Sequence, residues 1–224
     1  MMAFQDACFY RPPKALTFKS ETYSYTTLRS LIKVVQENDP ETIQVSLQDN
    51  VEVNSTRGPY TAKISGTQNE YAELFGVLTT STVLRNVSFE GMQFAKVACE
   101  ALAGFLRSST GSVVAMSFSD VRFGDSAPTF IQALSANTSL LSLSLCNVYL
   151  SSALKFTSSN LVVIYVSNSR MTSTDTCVFL ESLCQVESLE SLHFSDHTGW
   201  DAKSSLALVL YIFFRVLVYL CFLK

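Results

Sequence analysis

An alternating apolar pattern returns five times along the chain and limits the folds that it can adopt. Each copy has apolar residues at its first, fourth and sixth positions, and the copies begin at Leu84, Val113, Leu140, Leu161 and Leu189. The intervals between them are 29, 27, 21 and 28 residues. Side chains alternate between the two faces of a strand, so each copy predicts a short strand with one buried face. Regular return of such a strand predicts a repeat protein whose units stack on one another.

Helical patterns fill the intervals that are long enough to hold a helix. Three stretches have apolar residues at helical spacing: 94–106, 128–134 and 174–184. In the first, one buried face would hold Val97, Ala101, Leu102 and Phe105. In the second, Pro128 is suited to the first turn of a helix. The 21-residue interval after Leu140 has room for about one turn, so we expect this unit to be degraded.

Strand–helix units of about 28 residues, such as FIQALSANTSLLSLSL at residues 130–145, resemble the ribonuclease-inhibitor-like class of leucine-rich repeats. The resemblance covers residues 69–199. It implies a solenoid with short parallel strands on the concave face and helices outside. The ninth repeat position, where that family favours Asn or Cys, holds Met92, Val121, Val148, Ser169 and His197. We therefore expect the usual asparagine ladder to be missing.

The residues before the first clear repeat fit a cap and a divergent first unit. Thr27 can cap a helix with apolar residues at positions 28, 31, 32 and 35. Ile43, Val45 and Leu47 then alternate as a strand, and an insertion at 51–68 precedes a helix at 69–78. The predicted fold is an α/β leucine-rich-repeat solenoid with a divergent N-terminal cap and a hydrophobic C-terminal helix. We place the cap at residues 1–41, the repeat array at 42–200 and the tail at 201–224.

The tail has more than one interpretation. From Leu206 to Leu223, eighteen residues contain a single charge, Arg215. This length reaches the threshold for a transmembrane helix, and its apolar residues contribute about −6 kcal/mol to insertion against about +3 kcal/mol for the arginine. Alternatively, Leu217 lies 28 residues after Leu189 and starts the repeat pattern again. The tail is then a membrane anchor, a truncated sixth repeat or an artefact of the gene model.

Composition argues against several classes of protein. Charged residues make up 16% of the chain, the net charge is −3, and 31 Ser and 19 Thr take the usual place of charges. Without a basic stripe the chain has nothing to attract nucleic-acid phosphates, so we expect no nucleic-acid partner. The six cysteines are sparse and unclustered, and the N-terminus does not read as a secretory signal. We therefore expect a cytoplasmic repeat body with reduced thiols, which a membrane anchor would tether by its C-terminus.

No catalytic motif stands out in the chain. His193 and His197 have the i, i+4 spacing of a metal pair, but the repeat pattern places them on a strand and its exit turn instead of a helix. The glycines form no phosphate-binding loop, and no pair of carboxylates suggests acid/base chemistry. We expect no metal, no cofactor and no enzymatic activity.

The repeat pattern does predict a binding surface. Strand residues between the buried positions, and those just after the strands, would line a hydroxyl-rich concave face with Tyr165 as its aromatic anchor. The candidate partner-binding residues are Ser88, Glu90, Ser117, Asp120, Ser144, Asn147, Tyr165, Asn168, His193 and Asp196. The sequence favours a non-catalytic scaffold that binds an unidentified protein there. The alternatives are a fragment of a longer repeat protein without independent function and a repeat-type regulator of an enzyme.

Overall fold

The computed structural model of the chain describes residues 28–38, 44–48, 66–108, 111–150, 154–156, 159–195 and 205–209. Within them six parallel strands form one sheet, in the order in which they occur in the sequence. The strands are β1 (Gln44–Gln48), β2 (Asn86–Glu90), β3 (Ala115–Ser119), β4 (Ser142–Cys146), β5 (Val163–Ser167) and β6 (Ser191–Ser195). The register pairs equivalent repeat positions across β2 to β6, so the strands predicted from the five copies are confirmed.

Five helices alternate with these strands. They are α1 (Leu28–Gln36), α2 (Gln68–Leu78), α3 (Lys96–Arg107), α4 (Ala127–Ser135) and α5 (Ser173–Leu183). Pro128 lies in the first turn of α4, where its missing N–H has no helical acceptor to lose. The described residues between β4 and β5 include no helix, as the short interval there predicts.

One detail of the α3 prediction is wrong. Val97 is 49% exposed, while the next two residues, Ala98 and Cys99, are fully buried. The buried face continues through Leu102 and Leu106, and Ala101 is only partly buried. Because α3 begins at Lys96, Val97 lies in its first turn on the side away from the sheet, and the small Ala98 takes the position against the core.

Aromatic contacts show that the helices cover one side of the sheet. Phe75 of α2 contacts Phe89 of β2, with ring centroids 5.6 Å apart. Phe118 of β3 lies 5.1 Å from Phe130 of α4, and Phe179 of α5 lies 5.7 Å from Phe194 of β6. These rings belong to one continuous core, which buries the apolar strand positions of successive repeats. The side chains between those positions therefore lie on the opposite side of the sheet.

Polar side chains in the turns before the strands join each repeat to the one before it. Asn137 is 6% exposed, and its Nδ2 donates a 2.6 Å hydrogen bond to the carbonyl oxygen of Leu106. Its Oδ1 accepts hydrogen bonds from the backbone N–H groups of Ser139 and Leu140. Equivalent bonds run from Ser112 Oγ to the Leu84 carbonyl (2.6 Å) and from Ser188 Oγ to the Leu161 carbonyl (2.8 Å). Buried turn backbone is thereby satisfied without an extended ladder.

The N-terminal predictions are described only in part. Leu28, Leu31, Ile32 and Val35 are buried on α1, as their spacing predicts. The predicted cap Thr27, the strand residue Ile43 and positions 51–65 of the predicted insertion lie outside the described residues. The domain limits at 41 and 200 stay predictions.

The first turns of the hydrophobic tail lie against the repeat body. Residues 205–209 are helical, Ala207 is 8% exposed, and Leu208 packs on the common core. Leu206 and Val209, by contrast, are 58% and 59% exposed. None of the helices in the described part of the chain is long and apolar enough to cross a membrane. Most of the predicted anchor, Leu206 to Leu223, falls on residues whose structure is not described. Residues 210–224 lie outside the described residues.

Candidate interaction surface

The side of the sheet that faces away from the helices carries most of the predicted binding residues. We call this side of β2 to β6 the strand face. The pairing register places Ser88, Ser117, Ser144, Tyr165 and His193 in one column across it. A second column holds Glu90, Ser119, Cys146, Ser167 and Ser195. Both columns contain mainly serine, so much of the surface is nearly flat and rich in hydroxyl groups.

Two aromatic rings interrupt this serine surface. Tyr165 and His193 occupy equivalent positions on β5 and β6, so their backbones lie about 4.8 Å apart. Their rings stack in parallel, with centroids 4.2 Å apart and an interplanar angle of 1°. Tyr165 is 38% exposed and His193 is also exposed. The pair thus presents a broad aromatic surface with polar atoms at its edges, an arrangement that the sequence alone does not predict.

The predicted polar residues after the strands form a side-chain ladder. Asn147 Nδ2 donates to Asp120 Oδ1, and Asn168 Nδ2 donates to Asn147 Oδ1 at 3.2 Å. All three residues have left-handed backbones, with φ values of 56°, 53° and 49°. Asn and Asp tolerate this conformation better than other side-chain-bearing residues. The corresponding residue of the first copy, Gly91, has φ of 66°.

This ladder lies at the eighth repeat position, and the usual ladder at the ninth position is missing, as predicted. There Met92, Val121 and Val148 are buried apolar residues, and Ser169 is a buried serine. The backbone at the strand ends is still paired, for example from Asp120 N–H to the Cys146 carbonyl at 2.9 Å. The polar ladder of this chain therefore occupies the eighth repeat position, one residue closer to the strand than the usual ninth. Asp196 and His197 lie outside the described residues.

A surface hollow of about 710 Å³ lies beside the ladder. Residues that follow β3, β4 and β5 line it, among them Arg122, Tyr149 and Arg170. These three occupy the tenth position of consecutive copies, and all are exposed, Tyr149 by 61%. They are absent from the predicted binding residues, which end at the eighth repeat position. The signal that would have found them is the tenth column, which reads Gln93, Arg122, Tyr149 and Arg170.

The described side chains of this surface offer hydrogen-bonding, aromatic and charged groups for binding. No three His, Cys, Asp or Glu residues among them are placed to hold a metal ion. Burial raises the pKa of the Cys99 thiol to about 11, and its Sγ lies 3.6 Å from the Phe94 carbonyl oxygen. This thiol is therefore protonated at neutral pH and shielded from solvent. What remains is a surface of hydroxyls, amides, two stacked rings and a few charges.

Comparisons with known proteins identify no family. No protein-family model matches the sequence, and no curated protein matches it. Among solved structures, the Leiomodin-1 Actin-Binding Site 2 matches at 15% identity and a TM-score of 0.47, over 84% of this chain and 88% of that chain. The Caenorhabditis elegans tropomodulin C-terminal domain matches at 12% identity and a TM-score of 0.48, over 88% of this chain and 98% of that one.

These comparisons correct the family resemblance inferred from the sequence. The ribonuclease-inhibitor-like assignment is wrong: the structural neighbours are leiomodin and tropomodulin domains, and no family model supports the assignment. The segment at residues 130–145, in which a helix is followed by a leucine-containing strand, indicates a strand–helix repeat rather than one family. With TM-scores below 0.5, neither neighbour provides an argument for a partner of this chain, actin included.

Proposed function

We propose that this chain is a non-catalytic interaction module that binds a protein partner on its strand face. The observation that carries the proposal is the exposed Tyr165–His193 stack within a flat surface of serine hydroxyls. Aromatic residues surrounded by smaller polar contacts are the usual anchors of protein interfaces. The stack is already formed, so its two rings lose little side-chain freedom when a partner covers them.

The size of the strand face indicates how a partner would contact it. Five strands of five residues span about 19 Å by about 16 Å, or roughly 300 Å² in projection. A stable protein interface buries about 800 Å² on each partner. A partner centred on the stack must therefore also reach the loops after the strands, where Asp120, Asn147 and Asn168 form their ladder.

We propose a cytoplasmic location for the repeat body. No disulfide joins the four described cysteines to one another, as expected in a reducing compartment. The described part of the tail packs its Ala207 and Leu208 against the core. This contact favours the alternative in which the tail continues the repeat body.

Affinity capture with matched variants tests the proposal. The double variant Tyr165→Ala/His193→Ala removes both rings of the stack, while Val97→Ala removes an exposed apolar side chain from the opposite, helical side. We expect proteins retained by the wild type to be recovered at least about tenfold less with the double variant and equally with Val97→Ala. Equal recovery by all three, with circular dichroism showing intact folds, would contradict binding on the strand face.

A further inference from the structure

The hollow beside the strand face has a charge arrangement that suggests a more specific ligand. Its tenth-position residues come in the spatial order Arg122, Tyr149, Arg170, on three neighbouring repeats. Because neighbouring parallel strands lie about 4.8 Å apart, the two arginine backbones are separated by about 10 Å with the tyrosine between them. Arginine and tyrosine are among the residues most enriched at the energetic centres of protein interfaces.

Arg122 and Arg170 are the cationic residues that line the hollow. Among the described residues, neither Arg122 nor Arg170 forms an ion pair. Of the acidic lining residues, Asp120 accepts hydrogen bonds from Asn147 and from Ser119 Oγ, and Asp125 lies in the 3-10 segment before α4. The hollow therefore offers two exposed guanidinium groups that form no ion pair among the described residues, and guanidinium groups suit carboxylates.

The backbone of Arg170 supplies a second, independent observation. Its φ is 49°, and the other described side-chain-bearing residues with positive φ are all Asn or Asp. A left-handed backbone is unfavourable for a long side chain, and such strained residues cluster at ligand-binding sites. Arg170 lines the hollow and lies two residues after the ladder residue Asn168.

We propose that the hollow binds an extended acidic segment of a partner protein, with two carboxylates on Arg122 and Arg170 and the intervening residue over Tyr149. In an extended peptide, side chains on the same side recur every two residues, about 7 Å apart. The arginine backbones are about 10 Å apart, but their side chains are flexible enough to bring the two guanidinium groups to a separation of about 7 Å. The expected recognition sequence is therefore acidic-x-acidic. This inference shares with the proposed function only the premise that the ligand is a protein.

Selection from a display library of random twelve-residue peptides tests this inference, with the full chain immobilised. The wild type should enrich acidic-x-acidic peptides at least threefold over the starting library. The double variant Arg122→Glu/Arg170→Glu should lose this enrichment and favour Lys- and Arg-containing peptides. The variant Arg122→Gln/Arg170→Gln should lose it without acquiring a basic preference. Thermal unfolding of each variant confirms that it is folded.

The variant Tyr165→Ala/His193→Ala separates this inference from the proposed function. It should select the same acidic peptides as the wild type, because its substitutions lie on the strand face and leave the lining of the hollow unchanged. Loss of acidic enrichment in this variant alone would place the peptides on the strand face and overturn the assignment to the hollow. Absence of acidic enrichment with the wild type, or its persistence in Arg122→Glu/Arg170→Glu, would also overturn it.

Discussion

Replacing Arg170, which lines the hollow, by glycine tests whether its backbone conformation is strained. Its φ of 49° costs an L-residue about 1–2 kcal/mol, and glycine removes that cost because it has no Cβ. Glycine also gives the unfolded chain more freedom, which costs about 0.5–1 kcal/mol. The described structure shows no hydrogen bond or ion pair of the Arg170 side chain to offset the difference. We therefore expect Arg170→Gly to raise the free energy of unfolding by about 0.5–1 kcal/mol.

Urea unfolding followed by circular dichroism measures this change, and a melting temperature higher by about 1–4 °C should accompany it. Arg122→Gly is the matched control: it lines the same hollow and is exposed, but its φ is not positive. The free energy of unfolding of Arg122→Gly should fall by about 0.5–1 kcal/mol, since only the entropic cost of glycine applies. If Arg170→Gly destabilises the chain as much as Arg122→Gly does, the strain argument is wrong. Arg170→Gly should also weaken acidic-peptide binding, so that stability and binding move in opposite directions.

Three further predictions concern the repeat body and the tail. Asn137→Ala removes three hydrogen bonds to backbone groups and should lower the free energy of unfolding, measured by urea titration, by about 3 kcal/mol. The control Thr138→Ala, at an exposed neighbouring position, should change it by less than about 0.5 kcal/mol. Similar losses in the two variants would refute the role of Asn137 in joining the repeats. Because the Cys99 thiol has a raised pKa of about 11, the unfolded chain loses this proton first as pH rises from 9, so stability should fall by about 2 kcal/mol towards pH 11. In Cys99→Ala, the free energy of unfolding should lack this part of its decrease between pH 9 and pH 11. The same decrease in the wild type and the variant would count against a buried, protonated thiol. Ala207→Glu should destabilise by about 1–3 kcal/mol and the exposed Val209→Glu by less than about 0.5 kcal/mol; equal effects would mean that the tail does not pack on the body.

The sequence predicted the sheet well because one physical constraint recurs in every unit. Each strand must bury its fourth and sixth repeat positions, and no other register places Val87, Met116, Leu143 and Ile164 in one core. The same periodicity assigned the columns of the strand face, since residues between buried positions must point the other way. Residues at the same repeat position in the sequence therefore lie beside one another on neighbouring strands.

Features that depend on rotation or on loop conformation were not predictable in this way. Val97 satisfies helical spacing, yet the start of α3 at Lys96 turns it outwards. The ladder through Asp120 and Asn147 depends on left-handed backbones, which short repeat motifs do not encode by apolar pattern. The family resemblance failed for a related reason, because different families of repeat proteins share the same strand–helix pattern.

The most direct test of the central claim is site-specific photo-crosslinking on the two sides of the sheet. A benzophenone amino acid replaces Ser144, in the middle of the strand face, or Val97, which is 49% exposed on α3. If a protein partner covers the strand face, irradiation in cells should give a discrete crosslinked product from position 144 that disappears when Tyr165→Ala/His193→Ala is added. Position 97 should give no such product. A crosslinked partner from position 97 and none from position 144 would contradict the account.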